Sequence, residues 1–132
     1  MKIFLIVVIS VMSLVLSPSW SLTWHDLDFR AGLFYEKFTA TPFTGEVEGT
    51  RQGKFKNGRQ EGSWVVYWEN GNLNYKGHFK NGKQDGFWLV YWENGKVMVK
   101  GNYKEGKRDG SWESYYGNGQ LITKGEFKND KA

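Results

Sequence analysis

The feature that most constrains this chain is a 24-residue recurrence that runs without a gap to Ala132. The copies read EGSWVVYWENGNLNYKGHFKNGKQ (Glu61–Gln84), DGFWLVYWENGKVMVKGNYKEGKR (Asp85–Arg108) and DGSWESYYGNGQLITKGEFKNDKA (Asp109–Ala132). A truncated earlier copy ends in QGKFKNGRQ at Gln60, so the repeat region is taken as 53–132. A fixed period of this length means stacked supersecondary units, each too small to bury its apolar face alone. Within a copy, short runs rich in Trp, Tyr, Val and Phe alternate with glycine turns, which is the pattern of strands and hairpins. Glycine recurs too often for helix. The expected fold class is therefore all-β, an elongated antiparallel meander of repeated β-hairpins.

Turn chemistry sets the expected register. Asn-Gly dipeptides at 70–71, 94–95 and 118–119 predict type I′ turns, whose central residues both need positive φ. A second turn is expected at Asn81-Gly82, with Glu105-Gly106 as its equivalent. A two-residue loop at Asn70-Gly71 places Trp68 opposite Leu73, Val66 opposite Tyr75 and Trp64 opposite Gly77. Side chains alternate between faces. Trp64, Val66, Trp68, Leu73, Tyr75 and Phe79 then share one face, and Val65, Tyr67, Lys76, His78 and Lys80 the other. Each repeat Trp meets a glycine across the strands (Trp64 on Gly77, Trp88 on Gly101, Trp112 on Gly125), where an aromatic ring covers bare backbone. The last strand, Leu121 to Phe127, is expected at a free edge.

The aromatic face spans roughly 600 Å², as large as the apolar patches seen on monomers. Something must cover part of it. The less regular segment 22–52, read as a degenerate capping unit, supplies Trp24, Leu27, Phe29, Leu33, Phe34 and Tyr35 for that purpose. A partner protein is the other candidate.

Residues 1–21 have the layout of a secretory signal peptide: Lys2, an apolar run from Ile3 to Leu16, then small residues with cleavage expected near Ser19–Ser21. The expected location is the periplasm or the cell exterior. The chain has no cysteine, which rules out a lipid-modified cysteine after the leader, disulfides and Cys-based metal sites. Loss of Lys2 with the leader lowers the formal charge from +4 to +3. That balance is too mild for a dedicated nucleic-acid binder. His25 and His78 lie far apart with no metal-ligand spacing, and the glycines belong to hairpins, so no enzyme, cofactor or metal role is expected.

The candidate binding residues are ladders, one residue per copy. Tyr67, Tyr91 and Tyr115 form an aromatic ladder suited to anchoring a partner. Lys76, Lys100 and Lys124 form a cationic one, and Lys80, Lys104 and Lys128 a second, with Lys83, Lys107 and Lys131 beside it. Stacked lysines attract an acidic partner or an anionic envelope surface, and equally serve as a solubilising face that discourages edge pairing.

The unit Gly62-Ser63-Trp64-Val65-Val66-Tyr67-Trp68-Glu69-Asn70-Gly71, followed by Lys76-Gly77 and Phe79-Lys80-Asn81-Gly82, closely resembles the MORN repeat variant. Bacterial chains of this look are grouped as the YwqK family of antitoxins, which this sequence resembles. The resemblance implies a hairpin array without catalytic residues and a role in neutralising a toxin. With an export leader, the implied form of that role is immunity-like and outside the cytoplasm. Three readings follow: a protein-interaction module with an antitoxin or immunity character, a binder of anionic lipid or envelope polysaccharide through the lysine ladders, and a passive structural array.

Overall fold

The computed structural model describes residues 21–132; the leader expected over 1–21 lies almost wholly outside them. The regular structure of the described chain is nearly all strand. A short 3-10 turn, Trp24–Asp26, leads into a two-stranded hairpin of β1 (Leu27–Arg30) and β2 (Leu33–Glu36). The main sheet follows: β3 (Gly45–Val47), β4 (Arg51–Lys56), β5 (Arg59–Tyr67), β6 (Leu73–Lys80), β7 (Lys83–Gln84), β8 (Gly86–Tyr91), β9 (Val97–Lys104), β10 (Lys107–Tyr115) and β11 (Leu121–Phe127). Its order is β11-β10-β9-β8-β6-β5-β4-β3, with β7 also on β6, and every pairing is antiparallel. Apart from β7 and β8, which both pair with β6, each strand of this sheet lies beside its sequence neighbour, so the sheet is the expected meander. β11 forms its C-terminal edge.

The two-residue type I′ geometry expected at Asn70-Gly71 is found at the second turn instead. Asn81 (φ 51°) and Gly82 (φ 80°) both take left-handed backbone between the paired Lys80 and Lys83, which makes this the two-residue type I′ turn. Asn70-Gly71 instead ends a three-residue loop, in which only Gly71 is left-handed (φ 86°). Gly71 N–H donates to Trp68 O at 2.9 Å, and Trp68 N–H to Asn72 O at 2.7 Å. The cause is the Asn70 side chain, whose Oδ1 accepts from Asn72 N–H at 2.9 Å and holds Asn70 at negative φ. Asn94 and Asn118 repeat this bond in the other copies.

Tyr67, not Trp68, therefore opposes Leu73. A bulge then restores the pairing, so Val66 faces Tyr75 and Trp64 faces Gly77 as the sequence suggests. Trp68 leaves the strand face. Its indole N–H reaches Tyr91 O of the next copy at 3.2 Å, and Trp92 repeats the contact to Tyr115 O at 3.1 Å. Asn70 and Asn94 add parallel bonds to Glu93 O and Gly117 O at 2.9 and 2.7 Å. The loops thus form their own ladder from copy to copy.

The core sits at the N-terminal end. Leu27, Phe43, Val47, Phe55 and Trp64 are buried together, with Leu22, Trp24, Phe34 and Phe79 packed against them. A parallel bridge between Thr23 and Glu48 and the bond from Phe34 N–H to Gly58 O (2.8 Å) tie the N-terminal hairpin to the sheet. The hairpin covers the aromatic face over the first copy and goes no further.

Candidate interaction surfaces

The aromatic face is built by one recurrent step. The bulges opposite Gly53, Gly77-His78 and Asn102 each give the following strand two extra residues, and a glycine of positive φ (Gly62, Gly86, Gly110) lies in each. Two residues later comes the Trp. Its ring does not lie over the glycine of its own hairpin but over that of the preceding copy. Trp64 covers Gly53, Trp88 covers Gly77 and Trp112 covers Gly101. Each indole N–H donates to the carbonyl just past the covered glycine: Lys54 at 3.2 Å, His78 at 3.2 Å and Asn102 at 3.0 Å. This corrects the sequence reading of Trp64 on Gly77, Trp88 on Gly101 and Trp112 on Gly125, which holds for the backbone pairing alone.

Between the indoles stand single rings, all nearly perpendicular to them. Phe79 lies 6.0 Å from Trp64 and 5.2 Å from Trp88; Tyr103 lies 5.9 Å from Trp88 and 5.0 Å from Trp112; Phe127 lies 6.2 Å from Trp112. Edge-to-face contacts of this kind contribute about 0.5–1.5 kcal/mol each beyond area burial. The ladder is one continuous surface with unequal cover. Trp64 is 0 % exposed beneath the hairpin and Trp88 4 %, while Trp112 is only half-buried. Beyond the hairpin the face opens into a groove of ≈ 560 Å³ whose lining includes Tyr75, Trp88, Val90, Val99, Tyr103 and Trp112. Burial raises the pKa of Tyr75 and Tyr103, so both present neutral phenols.

The opposite face holds the residues the sequence singled out. Tyr67, Tyr91 and Tyr115 are half-buried beside the loops. Lys76 and Lys124 are exposed, and Lys100 is half-buried. Two of these three lysines share one carboxylate. Glu113, at the position of Val65 and Leu89 in the other copies, bridges Lys100 at 2.9 Å and Lys124 at 3.1 Å. It also accepts the Tyr115 hydroxyl. That hydroxyl, then the two ammonium groups, lower the Glu113 pKa from 4.5 to about 2. A depressed carboxylate pKa adds stability at neutral pH that fades as pH falls from 4.5 through about 2. A carbon-detected NMR titration should therefore find the Glu113 midpoint near 2, and Glu113→Gln should remove that share of acid sensitivity from the last copy; a midpoint near 4.5 would contradict the cluster.

Lys80, Lys104 and Lys128 behave differently. They are exposed and meet Lys83, Lys107 and Lys131 directly across the second turns. Lys56 and Arg59 repeat the arrangement one turn earlier. Like charges placed opposite each other destabilise a hairpin. One rim of the sheet nevertheless carries four such pairs. Sequence reasoning put these lysines in separate rows; only the turn geometry makes them pairs. It did not name Val99 or Tyr103 among the candidate binding residues.

Serial hairpins locked together by indoles on glycines define a tandem β-hairpin repeat protein. The family described as the MORN repeat variant matches residues 60–81, 84–105 and 108–129, half of the 132-residue chain. The chain belongs to that family. Its repeats are in general protein- or membrane-interaction modules. No curated protein matches the chain.

Proposed function

We propose that this chain is an exported, non-enzymatic protein-interaction module, and that its partner docks on the open half of the aromatic face. The observation that supports this is the unequal cover. The chain's own hairpin, through Trp24 and Phe34, packs over Phe55 and Trp64, while the equivalent rings from Trp88 to Trp112 line an open groove. A partner's apolar side chains there do what the hairpin does one copy earlier. Large rings in a groove are the usual anchors of protein interfaces. The role is immunity-like: export and resemblance to antitoxin chains together favour a toxin met outside the cytoplasm.

The four cation pairs on the turn rim favour a second reading, attraction to an anionic envelope surface. Salt separates the two, because surface charges are screened within about 3 Å at 1 M while apolar contacts persist. Immobilised protein should retain one stoichiometric partner from envelope and secreted fractions at 1 M salt. Val99→Arg should abolish retention, and joint replacement of Lys80, Lys104 and Lys128 by Gln should leave it. Retention that follows the lysines and fades with salt would replace the first reading with the second.

A further inference from the structure

Four glycines occupy one repeat position, and among the described residues three lie under an indole. An ideal Cβ on Gly53, Gly77 or Gly101 would stand 2.2, 2.2 or 2.3 Å from Trp64, Trp88 or Trp112, so these three must be glycine. At Gly125 the same Cβ would have no neighbour within 4 Å among the described residues. Glycine inside a strand weakens it, and the fold makes no demand for one here. The rest of an indole seat is also present. The carbonyl equivalent to those of Lys54, His78 and Asn102 is that of Glu126. Phe127 stands where Phe79 and Tyr103 flank the other indoles, and with Gly125, Thr123 and Ala132 it lines a groove of ≈ 420 Å³. The strand that holds the seat, β11, is the sheet edge, and its Leu121 and Ile122 are 52 % and 48 % exposed.

We propose that β11 is an acceptor edge that takes an added antiparallel strand from a partner protein, with a Gly-x-Trp segment setting its indole over Gly125. Strand addition of this kind draws affinity from main-chain hydrogen bonds and specificity from the side-chain seat. The register follows from β6 and β8, where Leu89, next after Trp88, pairs with Lys76. The residue after the incoming Trp therefore pairs with Lys124. A second folded copy cannot supply the segment, because its own Trp-bearing strands β5, β8 and β10 are interior and paired on both sides. The proposal rests on reading the chain as an interaction module and specifies its recognition mode.

The test uses the ¹⁵N,¹³C-labelled protein and an unlabelled peptide of the sequence Lys107–Tyr116, an existing Gly-x-Trp strand. The Gly125 Hα resonances should move upfield under the added ring, saturably, toward the positions of Gly53, Gly77 and Gly101. Changing the peptide Trp to Ala, or Gly125→Ala in the protein, should each weaken binding at least about tenfold. Unmoved resonances of the three covered glycines would show that the variant is folded. Absence of any shift at about 1 mM peptide, equal binding by either altered molecule, or self-association through β11 that is indifferent to residue 125 would overturn the proposal. A partner still captured through Val99 in that event would retire the seat and leave the interaction module standing.

Discussion

Gly77→Ala is expected to destabilise the protein by about 3 kcal/mol or more, near the top of the range for overpacked sites. The added methyl group would stand 2.2 Å from the fused ring atoms of Trp88, which is 4 % exposed and hydrogen-bonded to His78 O at 3.2 Å. Any shift of the indole disrupts its edge-to-face contacts with Phe79 and Tyr103 at 5.2 and 5.9 Å. Relief requires breaking the indole bond and opening the contact between β6 and β8. Gly125→Ala is the matched control. It stands at the same repeat position with nothing within 4 Å, and should leave stability unchanged or raise it by about 0.5–1 kcal/mol. Urea unfolding of the two variants measures the difference. Equal effects would show that the indoles do not rest on the preceding copy's glycines.

The second large effect is expected at Trp64, where alanine should cost about 3–5 kcal/mol. This ring is fully buried and is the keystone between hairpin and sheet, 6.1 Å from Trp24, 5.1 Å from Phe55 and 6.0 Å from Phe79. Its loss would uncouple the N-terminal cover from the array. Trp112→Ala should cost clearly less, because Trp112 is half-buried and lies outside the cover. Arrays of this kind add up their units and nearest-neighbour interfaces. Amide hydrogen exchange should accordingly slow toward the covered end and quicken toward β11, and Trp64→Ala should flatten that gradient. Uniform protection along the array would contradict the placement of the core.

Much of this was legible because the repeat prints its constraints three times over. Hairpin succession, the free edge at β11 and the backbone pairs Trp64–Gly77 and Val66–Tyr75 follow from spacing and alternation. Turn types did not. Asn-Gly fits both turns, and only the side-chain bond from Asn70 to Asn72 decides for the longer loop. The pairing survived the mistake because the bulge beside Leu73 cancels the extra loop residue. The direction in which an indole leans was equally hidden, since Trp64 stands between Gly53 on one strand and Gly77 on another, and the two extra residues beside Gly62 bring the ring to Gly53. For the surfaces, the lysine and tyrosine ladders were visible one position at a time. The pairing of Lys100 and Lys124 with Glu113 depends on a cross-strand neighbour that only the third copy has. The open groove depends on where the cover stops, which is a tertiary fact.

Site-specific photo-crosslinking tests the central claim most directly. Benzoylphenylalanine at Val99 lies in the open aromatic groove, and at Lys100, one residue on, it faces the other side of the sheet. Irradiation with envelope and secreted fractions should join one protein to position 99 and leave position 100 unmodified. Crosslinks at position 100 with none at 99 would move the interface to the lysine face and contradict the account.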